Sequence, residues 1–181
     1  MSWPERLEGE GFVLRPWRAS DADALVLHAN DREVSRHLGE RFPHPYALED
    51  AHCFIGHALH LSSEKAFAIA IDGVAAGGIG VQPGEGVERH SAELGYWLGR
   101  AHWGRGIATE AVRLVVPHAL DALALYRLQA RVFAGNTASM RLLERCGFAH
   151  EATLRRLVVK DGSLLDMHIY AITRDTLDAS T

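Results

Sequence analysis

Residues 91–111 constrain the fold of this chain more than any other stretch. Ser91 to Leu98 reads as a strand, Gly104-Arg105-Gly106 as a tight turn, and from there to about Leu123 apolar residues recur at three- and four-residue steps. A strand that feeds a glycine turn opening a helix points several backbone N–H groups into one concavity, beside the positive end of the helix dipole. That arrangement suits a phosphate or diphosphate. Gly104 and Gly106 keep side chains out of the approach, and the small Ala108 lets the helix start close to a ligand. A Walker loop would continue into Gly-Lys-Ser/Thr, which is missing, and a dinucleotide-binding turn would place a third glycine where Thr109 stands. A glycine pair is also ordinary turn chemistry, so the rest of the chain has to decide.

A first strand is legible at Gly11 to Trp17. Ser20 and Asp21 then form a helix N-cap region, and a second helix runs from Leu48 to Leu61. Ala66 to Ile71 and Val74 to Val81 are strands, joined as a hairpin by Asp72-Gly73. Pro83 to Gly86 is a second turn. Pro117 falls inside the helix after Gly106, where it removes a backbone donor and should kink or split it. Arg127 to Phe133 is a strand with Leu128, Ala130 and Val132 on one face, and Asn136 to Cys146 is a short helix stopped by Gly147. Two last strands, Phe148 to Val159 and Leu165 to Ile172, flank Lys160-Asp161-Gly162. The succession describes a mixed α/β or α+β domain with an antiparallel portion.

At 181 residues, with 48% hydrophobic and 23% charged residues, the chain fits one globular domain spanning 1–181. Its net charge of -4 offers nucleic acid no basic surface. No run of about eighteen apolar residues predicts a membrane span, and the first ten residues do not read as a signal peptide. Cys53 and Cys146 are too few for a disulfide framework, so the expected location is cytoplasmic.

The second informative segment, Gly135-Asn-Thr-Ala-Ser-Met-Arg-Leu-Leu-Glu-Arg-Cys-Gly-Phe148, again follows a strand and opens a helix. With the segment from Glu93 to Ala111 it resembles the GNAT acetyltransferase superfamily, most closely the branch of the RimJ and RimL ribosomal-protein N-acetyltransferases. The resemblance runs from Phe12-Val-Leu-Arg-Pro through Asp166 to Tyr170. It implies a central mixed, largely antiparallel sheet flanked by helices, with a splayed strand pair holding the cofactor, and Gly95 at a bulge that opens the pair. It also implies acetyl-CoA as cosubstrate and an amine acceptor, either a protein N-terminus or a small molecule such as an aminoglycoside, polyamine or amino-acid-like amine. Look-alikes are often dimers.

The implied cofactor contacts are the turn Trp103, Gly104, Arg105, Gly106, Ile107, Ala108 and Thr109 for the diphosphate, and the strand end at Trp97 and Leu98 for the pantetheine arm. An amide near Leu98 would face the thioester carbonyl. Asn136 would bond the pantetheine, with Ser139 one turn along near the sulfur. Many superfamily members carry a tyrosine acid where this chain has Leu143; Ser139 or water must then protonate the leaving sulfur, or it departs as thiolate.

Only the free base of an amine attacks a thioester, so a base is needed near the strand mouth. Alternation along Ser91 to Leu98 puts Glu93, Gly95 and Trp97 on one face. Partial burial disfavours a charged carboxylate, as a base near neutrality requires. Glu93, acting through a water, is the candidate; its bland alternative is a solvated or salt-bridged strand carboxylate. Asn136 is equally a helix N-cap, Ser139 equally a first-turn surface residue, and Arg105 either touches phosphate or is solvated. Trp97 and Trp103 serve packing as readily as binding. Cys53, His57 and His60 share a helix face, yet no fourth zinc ligand accompanies them, so no metal is assigned. His90 and His102 flank the strand as possible proton carriers. The rival of another class is a non-catalytic acyl-CoA-binding module.

Overall fold

A computed structural model describes residues 3–40, 42–60 and 65–178. Its strands are β1 Leu7–Gly9, β2 Phe12–Arg15, β3 Lys65–Ile71, β4 Val74–Pro83, β5 Ser91–Leu98, β6 Arg127–Phe133, β7 Ala149–Lys160 and β8 Ser163–Thr173. Its α-helices are α1 Ala22–Ala29, α2 Arg32–Ser35, α3 Leu48–His60, α4 Ile107–Ala122, α5 Thr137–Arg145 and α6 Arg174–Asp178. The strands bond in the order β1-β2-β3-β4-β5-β6-β8-β7. The pairings of β1 with β2, β2 with β3, β6 with β8 and β7 with β8 are antiparallel, and that of β5 with β6 is parallel. The expected α+β architecture with a mixed, largely antiparallel sheet and flanking helices is therefore what the chain adopts. Leu61, the expected end of the second helix, lies outside the described residues.

The chain sorts into two compact units, one of Pro4–Gly80 and Tyr96–Ala111, the other mainly of Val81–Gly95 and the residues from Val112 on. In the first unit the aromatic and aliphatic side chains Trp17, Leu25, Tyr46 and Ile55 form the core, with Phe42, Phe54 and Trp97 packed against it. Asp72 and Gly73 take φ of 50° and 82°. Positive φ at both central residues is the turn whose twist matches a hairpin, so the dipeptide closes β3 onto β4 as its composition predicts. Asp21 does not cap α1 with its side chain. Its carboxylate instead takes a two-pronged grip on the Arg15 guanidinium, Nη1 to Oδ2 and Nη2 to Oδ1 both 2.8 Å, and accepts the Arg18 amide at 2.9 Å.

Gly77 on β4 lies close against the backbone of β5. A Cβ there would stand 2.5 Å from the Trp97 carbonyl oxygen and 3.0 Å from the Leu98 Cα. Backbone atoms cannot swing aside as a flexible side chain can. Gly77→Ala is expected to cost about 3 kcal/mol, the upper end of overpacking, read as a lowered urea midpoint. The same substitution would push on the end of β5.

In the second unit α4 buries Val112, Val115, Val116, Ala119 and Leu120. The expected break at Pro117 does not occur: α4 is one unbroken helix containing it. Pro117 lies on the exposed side of the helix, where water can bond the carbonyl that the missing N–H leaves unpaired, and the buried side secures the helix. Leu128, Ala130 and Val132 are buried together on one face of β6, as their alternation requires. A second hairpin, Asp161-Gly162 with φ of 49° and 75°, joins β7 to β8.

Candidate active site

The glycine turn is built as its residues demand. Leu98 ends β5, the Gly99 N–H donates to the Ala76 carbonyl at 2.7 Å, and Arg100–His102 make one 3₁₀ turn. Gly104 and Gly106 then adopt φ of 74° and 79°, with nothing within 4 Å of the place a Cβ would occupy. These left-handed conformations are cheap only for glycine. The first main-chain bond of α4 runs from Glu110 N to Gly106 O at 3.0 Å. The amides of Gly106, Ile107 and Ala108 precede it, so the helix supplies them no acceptor. They stand beside an exposed glycine pair, at the positive end of a sixteen-residue helix. Ile107 is buried and anchors the start of that helix; Ala108 and Thr109 are partly buried.

Side chains brace the turn from behind. The Trp103 indole Nε1 donates to the Leu98 carbonyl at 2.7 Å, which ties the turn back onto the strand end. Trp103 thus acts here as a strut. Arg105 Nη1 lies 3.0 Å from His102 Nδ1, and the His102 ring lies 5.2 Å from that of His28. Burial, and then the neighbouring His102, push the His28 pKa down. The Trp97 indole faces the core and meets Phe42 edge-on at 5.1 Å, so its side chain packs. Leu98 is buried. Within the segment 36–46, Phe42 and Tyr46 stack at 5.0 Å, and the Tyr46 amide donates to Asn30 Oδ1 at 2.9 Å. Arg41 of that segment lies outside the described residues.

Glu93 sits where the parallel pairing of β5 with β6 stops. Ser91, Ala92 and Glu93 pair with Arg127, Leu128 and Gln129, and no further pair follows although β5 continues to Leu98. Paired residues share a face, so Glu93 stands beside Gln129, and the alternation of β6 adds Arg127 and Arg131 to that side. Arg127 donates to Gln129 Oε1 at 3.3 Å and 3.2 Å and holds Glu151 through two bonds of 3.0 Å and 2.6 Å. Its hydrogen bonds and charge hold the Glu151 pKa below the usual value against a smaller effect of burial. Glu93 is partly buried, and no hydrogen bond or ion pair ties its carboxylate to another described residue. The salt-bridged alternative for Glu93 therefore falls to Glu151 instead. Sequence reading missed this polar face, although Arg127, Gln129 and Arg131 alternate with Leu128, Ala130 and Val132 in plain view.

Asn136 is the N-cap of α5, its Oδ1 accepting the Ser139 amide at 3.2 Å. Capping occupies the oxygen and leaves the side-chain amino group as the donor Asn136 can offer a ligand. Ser139 is partly buried in the first turn, and Leu143 is fully buried. Gly147, at φ 86°, closes the helix as expected. Cys146, just before it, has a thiol pKa raised by burial, against the lowering effect of Arg113. His90 Nδ1 bonds the Ala124 carbonyl at 2.9 Å, and its ring meets Tyr126 edge-on at 5.5 Å. Among the described residues no three or more His, Cys, Asp or Glu side chains gather as they would to hold a metal ion. No helix among them is long and apolar enough to cross a membrane.

Three comparisons bear on this arrangement. Residues 12–149 match the family described as acetyltransferase (GNAT) domain. A Bacillus licheniformis protein named uncharacterized N-acetyltransferase p20 is 31% identical over 179 residues, covering 94% of this chain and 97% of that one. The structure of Mycobacterium smegmatis RimJ in complex with CoA-disulfide superposes with a TM-score of 0.82 at 27% identity, over 99% of this chain and 97% of that one. Escherichia coli spermidine N(1)-acetyltransferase is 28% identical over 141 residues, 78% of this chain and 74% of that protein.

Proposed function

The chain belongs to the GNAT acetyltransferase family and is an N-acetyltransferase, and from that premise we propose that it moves the acetyl group of acetyl-CoA to the N-terminal amine of a protein. The observation that carries the cosubstrate is the Gly104-Arg105-Gly106 turn. Two left-handed glycines with open space over them and a row of helix-start amides fit a diphosphate. The reading of the acceptor is supported by the near full-length similarity to RimJ.

Acetyl-CoA supplies an acetyl thioester. The residues of this chain do the rest. The amides of Gly106, Ile107 and Ala108 would hold the diphosphate, with Arg105 adding charge. By the family resemblance, Asn136 would offer its amino group to the pantetheine arm, and the Leu98 amide would face the thioester carbonyl. Glu93, through a water, takes the proton from the attacking amine. Leu143 offers no proton, so Ser139 or water serves the leaving sulfur, whose thiol pKa of about 8.5 makes that step undemanding. No cysteine lies on β5, Cys53 is on α3, and burial pushes the Cys146 thiol pKa up. Attack is therefore direct, without an acyl-enzyme.

CoA release measured against N-terminal peptides, aminoglycosides and polyamines tests the acceptor. Peptides should turn over fastest. Faster turnover of polyamines would replace this reading with the one that the spermidine acetyltransferase similarity favours. Acetyl-CoA binding with no turnover of any amine would mark a binding module. Gly106→Val tests the turn: a β-branched residue at φ 79° is strained by about 1–2 kcal/mol and its side chain would enter the diphosphate's space. Acetyl-CoA affinity by calorimetry should fall about tenfold or more, with the circular dichroism spectrum unchanged.

A further inference from the structure

The β7–β8 hairpin carries a cluster that the transferase reading does not use. Thr153 pairs with His168 and His150 with Tyr170, with a register shift between His150 and Ala152. In an uninterrupted strand residues 150 and 153 would face opposite sides; the bulge at this shift puts both on one side. His150 Nε2 and His168 Nδ1 are 3.2 Å apart, and the Thr153 hydroxyl lies 3.2 Å from the first and 3.0 Å from the second. Three donor atoms thus form a nearly equilateral triangle at an exposed surface.

We propose that His150, His168 and the Thr153 hydroxyl are a binding site for a divalent late transition-metal ion such as zinc, which clips β7 to β8 across the bulge. Each ring nitrogen has one in-plane direction for its proton or lone pair, yet each here meets two partners. Without an ion the hydroxyl can donate to one ring and accept from the other, whereas an ion above the triangle engages all three atoms at once. At the usual zinc–nitrogen length of about 2.0–2.1 Å, a nitrogen separation of 3.2 Å corresponds to an angle of about 100° at the ion, close to tetrahedral. The same arrangement sets the ring centres about 5 Å apart, and they are 5.2 Å apart. Imidazole suits zinc, nickel and copper rather than magnesium or calcium. Tyr170 lies against His150 at 5.1 Å and is itself buried, its hydroxyl donating to Glu144 at 3.2 Å, so one ligand ring is already oriented. Water completes the coordination.

The test is calorimetry with zinc chloride on the full chain, freed of any affinity tag and of chelators. One zinc per chain is expected. His150→Gln and His168→Gln should each weaken binding about tenfold or more, Thr153→Val less, and His57→Gln on α3 not at all. Zinc should raise the melting temperature of the unaltered protein and not of the two histidine variants, because an ion bound only to the folded state stabilises it. Cobalt in place of zinc should give the intense visible absorption of a tetrahedral site. Failure of the unaltered protein to bind zinc would overturn the proposal. So would zinc binding that His150→Gln and His168→Gln leave intact while both variants keep the native circular dichroism spectrum. None of these readouts depends on acetyl transfer.

Discussion

Glu93→Gln is expected to lower kcat about 100-fold or more while the KM for acetyl-CoA stays within a factor of two. The substitution keeps the volume and the hydrogen-bonding shape of the side chain and removes only the basic oxygen. General-base catalysis is worth about 10²–10⁴ in rate, and cofactor affinity resides in the glycine turn, so kcat and KM should part. The carboxylate is partly buried on the polar face of β5, in register with Gln129, and is bound to no other described residue. Glu151, by contrast, is held by Arg127. Steady-state kinetics with saturating acceptor decides the matter. A variant within threefold of the parent in kcat would remove Glu93 from the mechanism and leave the base to a water.

Asp21→Ala is expected to destabilise the protein by about 3–5 kcal/mol, a large part of the 5–15 kcal/mol that holds a typical domain folded. Arg15 and Asp21 are each 5% exposed and bonded through both carboxylate oxygens, so removing the acid strands a guanidinium in the interior. Replacing both, as Arg15→Met with Asp21→Leu, should recover much of the loss, because no buried charge then remains unpaired. Burial on its own raises the pKa of Asp21. The hydrogen bonds from Arg15 and the Arg18 amide, with the charges of both arginines, outweigh it and leave the pKa lowered. A carboxylate with a depressed folded pKa stabilises above its unfolded value, about 3.9, and loses that contribution as pH falls through the folded value. Urea midpoints of parent and variant should therefore differ most near neutrality and converge in acid. A constant difference down to pH 3 would show that the ion pair is not the cause.

Much of the architecture was legible because it rests on local chemistry. Asp-Gly pairs at 72–73 and 161–162 accept the positive φ that a two-residue hairpin requires, so both hairpins could be read directly. Asn136 and Gly147 bracket α5 for equally local reasons, one a cap and the other a left-handed stop. The alternation in Arg127 to Phe133 told which side of β6 is buried. Reading failed where a distant partner outbid the local preference. Asp21 stands at the N-cap position of α1 as its composition suggests, but its carboxylate is taken by Arg15 and the Arg18 amide. Pro117 has the composition of a break, and the buried side of α4 carries the helix through it. The short β1 is held by its pairing with β2, which a three-residue segment does not announce.

Residues 91–111 illustrate the division. The glycines and the helix that follows them determine the form of the turn by themselves, because left-handed backbone and unpaired helix-start amides are properties of the local chain. Which strand glutamate holds an arginine was decided by tertiary structure alone. Glu93 and Glu151 are both strand glutamates, and only the pairing of β5 with β6 and the reach of Arg127 leave one spent and the other unspent. The same holds for His150, Thr153 and His168, brought to one side by a bulge that exists only in the pairing of β7 with β8. Conformational preference is written residue by residue; the partner of a charge is set by where the rest of the chain places its neighbours.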